Sequence, residues 1–582
     1  MKQMLVLLLL ILSCSVEQSP AGIAWSDSML ATMTLEEKVG QLFVAELVAL
    51  YTHEDHPAYR YALTMIHRYH VGSFLLAGGT ALDIAVVTNR LQRASRIPLL
   101  INADLEAGLT PMAPWRRSRG WTERLPAIIV SGGTLFPSQM AIGATGNEQN
   151  AYELGFVTAK EARATGIHWS NSPVADVNSN PDNPIINTRS YGEDPAMVAR
   201  MVAAYVRGAS DGRMISTVKH FPGHGDTRED THMGLPALPF TLARLDSVEL
   251  VPFRAGINAG AGAVMTAHIA LPSIDPTGVP ATLSRRIMTG ILRQHLGFDG
   301  IITTDALRMQ GITDHFSPAE AAIAAIEAGV DCILVSADLG AAFDGLCTAV
   351  RNGRISGERL DASVRRILAA KEWVGLPAQR TVAIDAMFTI VGSPRFQSLA
   401  GNISDASVTL LRNERNILPL RPDTRLSIVT VGDQPGTGID LLQTVSPSVA
   451  SAVLLHISNE TGREQVARVR QELEKTDVIV AAVYVSVAAW KGVNSFSEPL
   501  QDFLEHLAQL PKPVILVAFG DPYLIARMPV VAAILTPFGG STLAEISIGR
   551  ALTGQIRVSG RLPVTIPGRF PAGAGMTIEP TR

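Results

Sequence analysis

Between Lys219 and Pro236 the chain reads KHFPGHGDTREDTHMGLP, directly after a short apolar run, Met214 to Val218, with the pattern of a buried strand. His220, His224 and His232 share this stretch with Lys219, Asp226, Glu229 and Asp230, so acids, bases and groups that titrate near neutrality are crowded together. Gly223, Gly225 and Gly234 permit backbone angles that other residues resist, and Pro222 and Pro236 stiffen the loop. Ionisable side chains held on a shaped loop suit a catalytic site. Asp230 and His232 are two residues apart, which on an extended segment puts them on one side, where the carboxylate can accept the imidazole N–H. A histidine paired in this way is a proton shuttle near neutral pH. An isolated Asp-x-His is more often a solvated loop pair, so the spacing alone does not decide. His220, His224, Asp226, Asp230 and His232 could also ligate a metal, but their spacing matches no standard zinc pattern; neither metal nor cofactor is expected.

The elements around this loop alternate. A capping box at Thr34–Glu37 opens a helix with Leu35, Val39 and Leu42 on one face. Strand-like runs follow at Leu42–Leu47, Val71–Leu76, Pro98–Asp104, Ile167–Val177, Ile215–Phe221, Ala263–Ile269, Gly300–Ala306 and Val330–Ser336, with helical patterns between them. Such alternation predicts parallel βα units closing into a TIM-type (β/α)8 barrel. Asp104, Asp176, Lys219, His220, His268 and Asp305 then fall at the C-terminal ends of their strands, where barrel enzymes carry their chemistry. Asp299 precedes its strand and belongs to the opposite face as a turn residue. Asp305 has a competing explanation as the cap of the next helix.

Residues 376–404 show little periodicity and are expected to link the barrel domain, residues 26–375, to a second domain, residues 405–582. Strand-like runs at Leu426–Val431, Ala452–Ile457, Val478–Val485, Val514–Phe519 and Val531–Leu535 predict an open α/β sandwich there. Its first strand is not followed by a glycine-rich phosphate fingerprint. Arg561–Pro567, RLPVTIP, reads as an edge strand because its prolines bar a central place.

The chain has 582 residues and a formal net charge of −4, so no basic surface argues for nucleic acid. Its 3 cysteines exclude a disulfide scaffold. Residues 1–25 begin with Lys2 and the apolar run Met4–Leu12, too short to span a bilayer as a stable helix and shaped as an export signal. Ile11-Leu-Ser-Cys14 is similar to a bacterial lipoprotein box, which predicts lipidation and membrane attachment at Cys14, with an ordinary secretory signal as the alternative. The mature chain is expected in the cell envelope, as a monomer.

Taken together, these motifs resemble glycoside hydrolase family 3, in its β-N-acetylglucosaminidase branch with an added C-terminal domain. The resemblance rests on the KHFPGHG loop and the following Asp230-Thr-His232, where the family usually has Asp-Ser-His. It is extended by PVADVNSNPDNPIINTRSYGEDP at Pro173–Pro195, Met265-Thr-Ala-His268, Pro280-Ala-Thr-Leu-Ser284 and Gly300-Ile-Ile-Thr-Thr-Asp-Ala-Leu307. It implies Asp305 as nucleophile, His232 as general acid/base oriented by Asp230, and Asp104, Arg189, Lys219 and His220 as holders of the sugar hydroxyls. The third strand end departs from the family pattern: Asp104 begins Asp-Leu-Glu-Ala-Gly, and Met112 stands near an expected arginine, which Arg116, Arg117 or Arg119 could replace. The implied activity is retaining hydrolysis of terminal β-linked N-acetylglucosamine, from peptidoglycan fragments or chito-oligosaccharides. Alternatives are a β-glucosidase or β-N-acetylglucosaminide phosphorylase of the same family, or a non-catalytic lipoprotein that binds wall fragments.

Overall fold

The computed structural model describes residues 24–109, 132–229, 231, 234–432, 436–485 and 498–581. The expected leader with Cys14, Met112 with its neighbouring arginines, Asp230 and His232 lie outside the described residues.

Eight parallel strands form the first sheet: β1 (Phe43–Leu47), β2 (Ser73–Leu76), β3 (Leu100–Ala103), β4 (Trp169–Ser170), β5 (Ile215–Phe221), β6 (Ala263–Thr266), β7 (Ile301–Thr303) and β8 (Ile333–Leu334). Their order is β7-β6-β5-β4-β3-β2-β1-β8, and a parallel bridge between Thr303 and Cys332 joins the two ends into a barrel. Nearly every strand residue is buried, which is why most of the strands read as largely apolar runs rather than alternating ones. Each expected barrel strand is present; β5 has the expected bounds and the others are shorter. β4 shrinks most: Pro173 has no N–H for the ladder, and pairing resumes as single contacts such as Val174 with Lys219. The capping box at Thr34 and Glu37 is present and starts the helix Leu35–Gln41, which delivers the chain to β1.

The second domain holds β9 (Thr409–Asn413), β10 (Arg425–Val431), β11 (Ser451–Ile457), β12 (Val478–Val485), β13 (Val514–Gly520) and β14 (Ala533–Thr536), in the order β11-β10-β12-β13-β14-β9. All pairs are parallel except β14 with β9. Apolar side chains cover both faces of this sheet, giving the sandwich two cores.

Three features differ from the sequence expectation. β9 went unseen because Leu410 and Leu411 are its only apolar residues. Within 376–404, Pro394 opens a helix that runs to Ser407 and packs on the helix Thr542–Leu552, so much of the expected linker is structured. Arg561–Pro567 is not an edge strand. Its Leu562, Val564 and Ile566 are buried with Met140, Ala141 and Ala144 of the barrel domain, while the Pro563 carbonyl accepts from the Glu193 N–H at 3.0 Å. The prolines that bar a ladder leave this segment free to pack between the two domains.

Candidate active site

Asp104 is the first residue beyond β3, and Glu106 follows two positions later on the same side, with the buried Leu105 facing inward between them. Lys219 rises from the end of β5, where pairing with β6 shifts register between Val218 and Phe221, an irregularity of the kind that re-aims side chains. Its ammonium lies 2.8 Å from Glu106 Oε1 and 3.4 Å from Asp104 Oδ1. Arg189, at the end of the short helical turn Asn187–Arg189, donates from Nε and Nη2 to the two Glu106 oxygens at 3.0 and 2.8 Å.

Two cations and two carboxylates thus form one compact cluster. Burial alone would raise the Glu106 carboxyl, but Arg189 and Lys219 outweigh it and hold the acid well below the ordinary carboxylate range. Burial likewise opposes charge on Lys219 and Arg189, and Glu106 reverses the direction for both. Glu106, Lys219 and Arg189 are therefore ionised at neutral pH, and supply fixed donors and acceptors suited to sugar hydroxyls.

A second hub is Asp176, fully buried. It accepts from the backbone N–H of His220 at 3.2 Å and of His224 at 2.6 Å, and its Oδ2 is 2.7 Å from His220 Nδ1. Burial pushes the Asp176 carboxyl up, but the two histidines and their N–H groups bring it below its ordinary value. A carboxylate can only accept, so His220 carries its proton on Nδ1 and turns Nε2 away from Asp176. His224 Nε2 is 3.1 Å from the hydroxyl of Thr231, the residue between Asp230 and His232. Gly223 has φ +127°, and a Cβ on Gly225 would stand 1.8 Å from the Val177 carbonyl, so both glycines are required; Gly234 meets neither constraint.

Asp305 is half-buried just past β7. Its Oδ1 accepts from the Ala306 N–H at 2.7 Å, and His268 Nε2 is 3.2 Å from the Ala306 carbonyl. On the other side, the Thr304 hydroxyl accepts from Leu334 N–H at 2.9 Å, and Leu307 N–H donates to the Leu334 carbonyl at 3.0 Å. The next helix, Gln310–Thr313, has Met309 at its N-cap, so Asp305 does not cap it. Asp299 stays at the opposite barrel end, its carbonyl accepting from Arg366 at 3.1 Å.

The structure therefore brings Asp104, Arg189, Lys219 and His220 to one barrel mouth with Asp305. Sequence reasoning passed over Glu106, although its place two residues after Asp104 at a strand end was a usable signal. It also passed over Gln139, whose side chain donates to the Arg189 carbonyl at 2.6 Å and accepts from Val174 N–H at 3.2 Å; no local pattern pointed there. A cavity of about 420 Å³ borders the histidine loop on its Asp226–Glu229 side, and neither Asp305 nor the charged cluster lines it. Among the described residues, no three acidic, histidine or cysteine side chains are grouped to hold a metal.

Residues 34–370 match the glycosyl hydrolase family 3 N-terminal domain, and residues 408–572 match the C-terminal domain of the same family. A β-N-acetylglucosaminidase/β-glucosidase of Cellulomonas fimi is 30% identical over 570 residues, covering 93% of this chain and 96% of the relative. Among solved structures, a family 3 β-N-acetylglucosaminidase from Paenibacillus sp. str. FPU-7 superposes with a TM-score of 0.80 at 33% identity, over 92% of this chain and 99% of that one. A β-glucoside phosphorylase superposes with a TM-score of 0.79 at 26% identity, over 93% and 96%.

Proposed function

Because this chain belongs to glycosyl hydrolase family 3, we propose that it is a retaining exo-β-N-acetylglucosaminidase releasing terminal β-linked N-acetylglucosamine from peptidoglycan fragments. One observation carries this reading: the Asp305 carboxyl, held by the Ala306 N–H just past the end of β7, shares a barrel mouth with the ionised Lys219–Glu106–Arg189 cluster.

Asp305 attacks the anomeric carbon as the glycosidic C–O bond breaks, and protonated His232, oriented by Asp230, gives its proton to the leaving oxygen. Water then adds to the anomeric carbon and neutral His232 takes its proton. The bond to Asp305 breaks, and two inversions restore the β configuration. Asp104, Arg189, Lys219 and His220 hold the terminal sugar's hydroxyls. Such buried polar partners discriminate strongly against a ligand that leaves them unpaired. Aromatic residues are only 5% of the chain, which favours a short pocket over a long stacking groove. The names of the Cellulomonas and Paenibacillus relatives support a 2-acetamido sugar.

The reading includes location: the leader directs export, and a lipid on Cys14 holds the enzyme at the envelope.

The test compares aryl β-N-acetylglucosaminide with aryl β-glucoside, each with and without phosphate, and identifies the released sugar. Free N-acetylglucosamine of retained β configuration is expected. Preference for the glucoside would overturn the substrate. A sugar 1-phosphate as main product would move the enzyme to the phosphorylases, a class to which one structural neighbour belongs.

A further inference from the structure

The strand β13 of the second domain ends against the barrel, directly behind Arg189. Asp521, the next residue, accepts on Oδ1 from Asn187 Nδ2 at 3.0 Å and from the Tyr523 N–H at 2.9 Å. The Tyr523 hydroxyl accepts from Asn178 Nδ2 at 2.6 Å. Asn178 and Asn187 are both buried, and the side-chain oxygen of each has no partner among the described residues. Each thus directs its amide nitrogen across the domain boundary and nowhere else. The barrel loop they carry contains Arg189. Asn187 has φ +40°, a left-handed conformation uncommon outside glycine and favoured by asparagine, and it begins the turn that Arg189 ends. Losing the contact to Asp521 would leave a buried amide unsatisfied at that strained position, two residues from the guanidinium that holds Glu106 and, through it, Lys219.

We propose that Asp521 and Tyr523 are positioning residues for the sugar-binding cluster, so that the second domain tunes the affinity of Asp104, Arg189, Lys219 and His220, which belong to the barrel. This rests on the reading of the Arg189–Glu106–Lys219 cluster as the sugar site. A purely architectural contact would alter domain docking and melting temperature without a selective effect on substrate affinity.

The test uses the full-length enzyme and an aryl β-N-acetylglucosaminide. Asp521→Ala removes the hydrogen bonds from Asn187 and from the Tyr523 N–H, and is expected to raise KM about 5- to 30-fold through loss of the first, with kcat within about threefold. Asp521→Asn keeps an oxygen that accepts both N–H groups, and should return KM to within about twofold of the parent. Asp521→Ala combined with Asn187→Ala should be no worse than the worse single variant, because both remove the same Asn187–Asp521 contact. Tyr523→Phe, which deletes only the hydroxyl, should raise KM in the same direction and serves if Asp521→Ala does not fold. Unchanged KM in a folded Asp521→Ala or Tyr523→Phe protein, or failure of Asp521→Asn to restore it, would overturn the proposal. Arg189→Lys is the control: if it leaves KM unchanged, the sugar-site reading itself fails, whereas a raised KM there with a normal Tyr523→Phe rejects only the positioning role.

Discussion

Lys371 lies at the barrel floor, on the helix Gly357–Trp373, with its side chain fully buried. Its ammonium has Gln41 Oε1 as hydrogen-bond partner, and Gln41 in turn donates to the His70 carbonyl at 2.9 Å. Burial pulls the Lys371 amine from an ordinary 10.5 down to about 7. In the unfolded chain the amine keeps its ordinary affinity, so between about pH 7 and 10.5 the unfolded state binds more protons and stability rises with pH. The gap is worth roughly 5 kcal/mol, present as a penalty below pH 7 and removed as the pH rises through the window. Lys371→Met keeps most of the volume and deletes the charge, but it leaves Gln41 Oε1 unsatisfied, at a cost of about 1–3 kcal/mol. The two terms oppose each other. At about pH 6 the variant should be more stable than the parent by roughly 2–4 kcal/mol, and at about pH 10, where about 1 kcal/mol of the penalty remains, less stable by roughly 0–2 kcal/mol. Urea unfolding followed by tryptophan fluorescence at both pH values reads the crossing directly. A stability difference between the two proteins that does not change with pH would refute the reasoning.

Asp305→Asn should abolish turnover of aryl β-N-acetylglucosaminide while far-UV circular dichroism and melting temperature stay nearly unchanged; retention of most activity would remove the nucleophile assignment. Glu106→Gln leaves Arg189 and Lys219 with Asp104 as their nearby carboxylate, and should cost about 3–5 kcal/mol of stability with a large rise in KM. Since Glu106 is held below its ordinary value, its contribution is complete above about pH 4.5 and fades as pH falls towards the depressed value, so acid titration of parent and variant should converge there. Cys14→Ala should release the enzyme from bacterial membranes or mis-process it, and equal solubility of both forms would rule out lipidation at that residue.

Much of the fold was legible because parallel strands in both sheets are buried on both faces, so Ala263–Thr266 or Val478–Val485 stand out as apolar runs whatever they pair with. Asp305, Lys219 and Asp104 were legible for the same reason: a polar residue ending such a run must lie at the barrel mouth. Leu410-Leu411 in β9 was too short a run to register, and the prolines of RLPVTIP, read as barring only a central place in a sheet, carried no sign that the segment packs on the barrel domain instead of pairing at an edge.

Strand ends and the chemistry they carry could be read from the order of residues, since both are local properties of residue type and spacing. Which carboxylate meets which cation was decided only by the tertiary structure. Glu106 joins Arg189 across 83 residues, Lys371 meets Gln41 across 330, and Asp521 reaches Asn187 across 334 from another domain. These pairings depend on barrel closure and domain docking, long-range geometry that no local periodicity encodes. The first governs the ionisation of Glu106 and the last the placement of Arg189, while the burial that closure imposes pulls down the Lys371 amine.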